Sequence, residues 1–357
     1  KEILREVLGG GDDVHAADKS FNNHFGVPLT LARLPMRAKY GVFEIGMNHA
    51  GEITPLTKLV RPHAAIVTTV AEAHLENFES IEGIAEAKAE IFLGLASGGV
   101  AVLPLDNEYF PLLKKRAEEA GAASFTTFGE TEGADFQLID YQPDGAGAQL
   151  TAKIKGKPYS FFAGLPGRHQ ASNILAALAA TDAVGAPLEP AIHALSRIAP
   201  AEGRGARAEI AVSGGSATLI DESYNANPTS MVAALNLLAA SKPGEGGRRI
   251  AVLGDMLELG PGAPALHEKL VSALVTAKVD RVYAAGQLMR HLWEALPEHM
   301  RGLHAGDAVG LVGAVLDAVE PGDVVMVKGS NASKVSAVAR ALKDSGKKED
   351  MKQEGRA

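Results

Sequence analysis

The chain has no cysteine. Disulfides, thiolate nucleophiles and sulfur-ligated metals are therefore excluded, and the lack fits a reducing compartment. Aromatic residues make up only 5%, with a single tryptophan. No apolar run nears the roughly 18 residues of a membrane span, and no signal-peptide pattern opens the sequence. Positive charge is the minority sign. Lys and Arg number 35 against 43 Asp and Glu, a net charge of −8, so a general nucleic-acid surface is not expected. What is abundant is small and apolar: hydrophobic residues reach 46%, with 39 glycines in 357 residues. That length suits two domains, and the composition is that of an ordinary globular protein.

Strand-like apolar runs alternate with helical stretches. "YGVFEIG", "AAIVTTV", "GGVAVLPLD" and "ASFTTFG" read as strands, with helices between them. This rhythm predicts a mostly parallel sheet covered by helices on both faces. Residues 135–163 break it and read as short antiparallel strands around a Gly-rich turn. A long Ala-rich helix, "HQASNILAALAATDAVG", follows and stops at Gly185 and Pro187. The stretch "APAEGRGARAEI" reads as a boundary, and beyond it the rhythm restarts through "SATLIDESYNANP", "RRIAVLGDM", "DRVYAAG" and "GDVVMVKGS". The expected division is 1–199, 200–345 and a polar tail at 346–357.

In open α/β sheets, ligands bind beyond the carboxyl ends of strands. Four such ends carry polar groups. The first has Glu44, Gly46, Asn48 and His49, and the second has Thr68, Thr69, His74 and Glu76. The third has Asp221, Glu222, Ser223, Tyr224, Asn225 and Asn227. The fourth has Lys328, Ser330 and Asn331. A carboxylate and an imidazole at adjacent strand ends can hold a divalent cation with water and phosphate oxygens, yet a lone histidine is commonly structural. Asn227-Pro228 can equally be a plain helix start.

One residue breaks a pattern. Ile81, Ile84, Lys88, Ile91 and Leu95 recur at spacings of three and four, the stripe a helix turns to its core. A bare ammonium is costly to bury there. Lys88 could snorkel outward, pair with a carboxylate such as Glu44, or be carbamylated by carbon dioxide and so become an anion.

The stretches "EIGMNHAGEI", "AEAHLENF" with "AKAEIF", "GRHQASNILAALA", "DESYNANP" and "VKGSN" occur in this order. Together they resemble the ATP-dependent Mur ligases of bacterial peptidoglycan synthesis. "SFNNHFGVPLTLARL" and "SYNANP" point within that family to the member that adds D-Ala-D-Ala to UDP-MurNAc-tripeptide. The resemblance covers nearly all of residues 1–340. It implies a central ATPase-type parallel-sheet domain with a small antiparallel sheet, and a C-terminal Rossmann-like α/β domain. It also implies a cytoplasmic enzyme, expected as a monomer, that uses ATP and magnesium and forms an amide through an acyl phosphate. A folylpolyglutamate synthase-like ligase and a non-catalytic nucleotide-binding module are the alternatives.

The resemblance also implies roles residue by residue. Glu44 and His74 match magnesium positions, and Lys88 matches the family's carbamylated lysine. Asn173 matches an adenine contact, with His169 in the same motif. Arg204 or Arg207 would contact ATP phosphate, and Arg204 is preferred because it follows Gly203. Asp221 matches a ribose contact, while Tyr224, Asn225 and Asn227 would face nucleotide or the incoming dipeptide. Asn22, Asn23 and Thr69 would line the UDP-MurNAc-peptide cleft. Lys328, Ser330 and Asn331 would meet the D-Ala-D-Ala carboxylate, although the family often has Arg where Asn331 stands. The family's phosphate loop, ending in GK[ST], is expected just before "KEILREVL" and does not occur. The 357 residues are therefore expected to be part of a longer chain, inactive alone.

Overall fold

A computed structural model describes residues 1–72, 75–144 and 147–354, with side chains as far as Ser345. The chain divides into two compact units, Lys1–Ile198 and Ala199–Ala357.

In the first unit, β1 (Val14–Ala16) and β2 (Tyr40–Val42) form a separate two-stranded parallel sheet. The main sheet has six strands. Three of them, β3 (Ala64–Ile66), β4 (Val100–Pro104) and β5 (Ser124–Gly129), are parallel. β6 (Phe136–Asp144) pairs in parallel with β5 through Phe128 and Gly129 only. β7 (Gly147–Ile154) and β8 (Lys157–Ala163) continue antiparallel. The antiparallel strands thus extend the same sheet.

Alternation along β4 puts Val102 on one face and Ala101 and Leu103 on the other, each in its own core. The first face receives the helix Arg168–Ala183. Its buried Ala171, Ile174, Leu175 and Leu178 pack on Phe128, Phe136 and Leu150, and the small alanines let the helix lie close to the sheet. The second face is covered by the helices Ile81–Ala89 and Phe110–Glu119.

Two boundaries differ from the sequence reading. Strand β2 stops at Val42, so Glu44 lies beyond the strand rather than within it. The helix carrying Lys88 stops at Ala89 and tightens into a 3₁₀ turn over Glu90–Gly94. The Glu90 carboxylate there accepts from the Thr54 N–H (2.9 Å) and hydroxyl (2.8 Å). Gly94 presses on Thr57, where an added Cβ would lie 2.2 Å from the Thr57 carbonyl. Ile91 and Leu95 still pack against the core, but not as part of one α-helical stripe.

The second unit is one six-stranded sheet with the order β13-β12-β11-β14-β10-β9. Its strands are β9 (Ala206–Val212), β10 (Gly215–Glu222), β11 (Arg249–Gly254), β12 (Arg281–Ala285), β13 (Arg301–Ala305) and β14 (Val324–Lys328). All neighbours are parallel except the β9–β10 hairpin. That hairpin turns at Ser213-Gly214, with Gly214 at φ +86°, a conformation glycine adopts without strain. The stretch read as a boundary therefore ends in a strand, and Arg207 sits on it.

A buried histidine ties the loop after β11. The His267 Nε2 accepts from the Met256 N–H (2.9 Å), and its Nδ1 donates to the Ala263 carbonyl (2.7 Å). Both partners require the neutral ring, and burial holds its pKa below the ordinary histidine value. Below about pH 6.5 the unfolded chain takes up a proton that the folded chain refuses. Stability present above that pH is therefore lost as pH falls, by at most about 1.4 kcal/mol per pH unit. Trp293, the sole tryptophan, lies in this unit, so its fluorescence reports unfolding there. His267→Gln is expected to remove this one-proton slope in denaturant unfolding; an unchanged slope would assign the acid sensitivity elsewhere.

Candidate functional site

In the first unit, Asn22 and Glu44 come together. The Asn22 amide donates to Glu44 Oε1 (3.0 Å), and the Gly46 N–H donates to the Asn22 carbonyl (2.8 Å). A Cβ at Gly46 would fall 2.9 Å from the Asn22 amide nitrogen, so a side chain there would push the Asn22 amide aside. Asn23 is used differently. Its Oδ1 accepts from the Gly26 N–H (2.9 Å) and the Phe25 N–H (3.1 Å), which starts the helix Gly26–Ala32. Thr69, exposed past β3, accepts from the Asn107 amide (3.4 Å). The same amide holds the Val70 carbonyl (2.9 Å). His74 lies outside the described residues.

Lys88 is half-buried in the last turn of its helix. Among the described residues, no carboxylate or carbonyl takes its ammonium, and no ion pair joins it to Glu44. Burial alone pulls its pKa down. A snorkelled lysine would stay in water, so the outward and Glu44-paired readings both lose support.

At the start of the helix Arg168–Ala183, Gly167 has φ +103° and donates its N–H to the Tyr141 hydroxyl (2.7 Å). Arg168 grips Glu130 with two hydrogen bonds (2.7 and 2.6 Å). The His169 ring folds over Gly167, within 2.7 Å of where a Cβ would be. The Asn173 amide donates to Gln170 Oε1 (3.2 Å).

The second unit gathers more of the expected residues. Strands β10, β14 and β11 end side by side, with Lys328 opposite both Glu222 and Leu253. Lys328 is 2% exposed. Its ammonium donates to the Asn225 carbonyl (2.9 Å) and lies 3.5 Å from Glu222 Oε2. Burial raises the Glu222 pKa and lowers that of Lys328, while their mutual attraction opposes both shifts. Asp221 is also buried and fully engaged. One oxygen accepts from the Ser223 hydroxyl (2.6 Å), the other from Lys343 (2.7 Å) on the last helix, Ser336–Glu354.

The structure separates the two arginines. Arg207, on β9, donates to the Ser241 hydroxyl (2.9 Å). Arg204 instead stands in a turn beside the strand end, its guanidinium 4.0 Å from the Tyr224 ring centroid. Glycines on both sides make the turn possible. Gly203 has φ +73° and its carbonyl accepts from the Tyr224 N–H (3.0 Å). Gly205 has φ +91° and its N–H donates to the Asp221 carbonyl (2.8 Å).

Other expected residues hold loops. Asn227 forms a reciprocal capping box with Ser230 at the start of the helix Pro228–Ala240. The Asn225 Oδ1 accepts from the Ala226 N–H (2.8 Å). Ser330 is buried; its hydroxyl accepts from the Leu257 N–H (3.0 Å) and donates to the Ala226 carbonyl (3.3 Å). Asn331 is exposed.

Sequence reasoning singled out neither Asn107 nor Lys343, and named Glu222 only among the polar groups of its strand end. Lys343 had a faint signal. It follows Ala339 by one helical repeat, beside the buried stripe of Val335, Val338, Ala339 and Leu342.

Comparison with known proteins identifies the architecture. Residues 1–181 match the Mur ligase middle domain, and residues 206–331 match the Mur ligase glutamate ligase domain. The chain belongs to the Mur ligase family. Within that family, it is 35% identical over 349 residues to the UDP-N-acetylmuramoyl-tripeptide–D-alanyl-D-alanine ligase of Bacillus subtilis, covering 97% of this chain and 73% of the relative. Against the enzyme of the same name from Escherichia coli, identity is 34%, covering 97% and 74%. A solved MurF ligase from Thermotoga maritima in complex with ADP is similar with a TM-score of 0.84 at 25% identity, covering 98% and 77%.

Breaking the buried pair at the strand ends has a defined cost. Lys328→Met leaves Glu222 buried without its cation and is expected to destabilise by about 3–5 kcal/mol. Adding Glu222→Gln should recover much of that loss in Trp293-monitored unfolding. If the double variant is no more stable than the single one, the charge pair is not the source.

Proposed function

We propose that the protein is an ATP-dependent ligase that joins D-Ala-D-Ala to UDP-MurNAc-tripeptide in peptidoglycan synthesis. The observation that carries this is 35% identity across 97% of the chain to a relative of that name. Glu44 and Thr69 lie beyond strand ends in the first unit, and Asp221, Tyr224, Asn225, Lys328 and Ser330 lie at or beyond them in the second. In this reading ATP phosphorylates the terminal carboxylate of the tripeptide. The dipeptide amine then attacks the acyl phosphate, and the tetrahedral intermediate collapses to an amide with release of phosphate. The reading puts the reaction in the cytoplasm and expects a monomer. Among the described residues, no helix is long and apolar enough to cross a membrane.

The residues suit anionic, phosphate-bearing substrates. Arg204 offers a planar fork of donors while its face rests on Tyr224. Asn173 and His169 are assigned to adenine, and Asp221, Tyr224 and Asn225 to the nucleotide. Asn22, Asn23 and Thr69 are assigned to the UDP-MurNAc-peptide. Asn227, Lys328, Ser330 and Asn331 are assigned to the acceptor; Asn331 is the exposed one, while Lys328 and Ser330 act through the loops they hold.

Among the described residues, no three carboxylates or imidazoles converge. Glu44, however, has one oxygen oriented by Asn22 and the other free of hydrogen bonds among the described residues. Such a site fits magnesium, which keeps waters and substrate phosphates and takes one or two carboxylates. Glu44 would hold it, with His74 assigned beside it. When bound, magnesium screens the carboxylate's approach to the γ-phosphate. Lys88 fits only as its carbamate, since an ammonium repels a cation. Carbamylation joins a neutral amine nitrogen to the carbon of CO₂ and releases one proton. Burial with no counter-ion among the described residues favours the neutral amine this needs.

Two measurements test the reading in the full-length protein. Phosphate release should require both UDP-MurNAc-tripeptide and D-Ala-D-Ala; turnover with glutamate as acceptor would favour the folate-type alternative, and no turnover with either would favour a binding module. Lys88→Ala should lower turnover by at least about a hundredfold, the scale of losing an electrostatic stabiliser, with partial rescue by short carboxylic acids. Near-normal turnover of Lys88→Ala would sink the carbamate assignment.

A further inference from the structure

Six charged side chains meet around the end of β10: Glu202, Arg204, Asp221, Glu222, Lys328 and Lys343. The two buried carboxylates each have their own lysine. Asp221 takes Lys343 (2.7 Å) and Glu222 takes Lys328 (3.5 Å). Lys343 also lies 3.7 Å from the exposed Glu202. Arg204 is the cation left over. Among the described residues, no carboxylate lies within ion-pair distance of it, and its face rests on Tyr224.

This sharing is not forced by distance along the chain. Arg204 is anchored beside Asp221 and Tyr224 by the hydrogen bonds of Gly203 and Gly205. It already lies in the field of Glu222. A guanidinium bonds a carboxylate more strongly than it stacks on a phenol ring. Were Asp221 left bare, Arg204 would be a cation already tethered beside it, since the next residue, Gly205, bonds the Asp221 carbonyl.

We propose that Lys343 is a positioning residue for Arg204. By neutralising Asp221 from the last helix, it keeps the guanidinium off the strand end and leaves it presented to a phosphate group. This rests on the assignment of Arg204 to ATP phosphate. Lys343 itself touches no substrate in this scheme. Arginine at the same position preserves the function, because charge and reach are what matter.

The test is steady-state kinetics of the full-length protein with ATP varied. Lys343→Met should raise KM for ATP about tenfold, the factor for one charge-assisted hydrogen bond, with kcat within about twofold. Lys343→Arg should restore KM. Arg204→Ala should raise KM, and adding Lys343→Met to it should cost nothing more, since the arginine that the lysine frees is gone. A Trp293 melt confirms folding. If Lys343→Met does not fold, Lys343→Gln, which keeps a donor to Asp221 without the charge, replaces it. Normal KM in Arg204→Ala overturns the phosphate assignment and this inference with it. Raised KM in Arg204→Ala overturns only the positioning role if Lys343→Met is normal, if the two losses multiply, or if Lys343→Arg fails to restore.

Discussion

Two carboxylates follow one another at the end of β10, and both are buried. Neighbouring residues of a strand point to opposite faces, and Asp221 and Glu222 each take a lysine of their own. The helix Ser336–Glu354 supplies Lys343 to Asp221, and β14 supplies Lys328 to Glu222 in direct register. Once the sheet places β14 beside β10, the remaining polar geometry of this end is set. Lys328 reaches on to the Asn225 carbonyl and so fixes the course of the loop leading to the helix Pro228–Ala240. A bare carboxylate at either position would cost more than a hydrogen bond returns, because it would have to be protonated or hydrated inside the sheet.

The same constraint explains the glycines. Gly203 and Gly205 bring the chain close against the strand end, where a Cβ at Gly205 would sit 3.0 Å from Glu222 Oε1. A backbone at that range can carry an arginine past two buried acids without its side chain being spent on them. Polar groups at the ends of parallel strands are a general feature of open α/β sheets. Here the crowding is managed so that acids and lysines cancel locally and one guanidinium remains outward.

Much of this was legible in the sequence, and the rest was hidden for physical reasons. Alternating apolar runs gave the strand–helix rhythm because core-facing sheets require them on both faces, as Ala101, Val102 and Leu103 do. Gly203 before Arg204 favoured that arginine, and the structure keeps Arg204 in a turn beside Tyr224 while Arg207 lies on β9. Strand β9 was hidden because only Ile210 of its seven residues is buried. The stripe through Lys88 was continued too far because Ile91 and Leu95 do face the core, though from a 3₁₀ turn and its C-terminal edge. Pairings such as Lys343 with Asp221, 122 residues apart, leave no local pattern. Nor could sequence tell that Asn23 and Asn227 spend their side chains on helix starts, since an amide that caps and one that awaits a ligand have the same spelling.

The buried lysines show why chemistry depends on partners rather than on burial. At Lys328, desolvation pulls the pKa down, but Glu222 and the Asn225 carbonyl oppose it and hold the ammonium in place. Its role is therefore architectural. At Lys88 desolvation acts with no opposing group among the described residues. A cation cannot rest there cheaply, and among the described residues no group offsets the imbalance. The remaining escape is to lose the proton, and a neutral amine has a lone pair to give. In the proposed reading, carbon dioxide accepts that lone pair and leaves a negative charge there. The fold pairs Asp221 and Glu222 fully and leaves Lys88 unpaired among the described residues, which is why the proposed carbamate falls on this lysine.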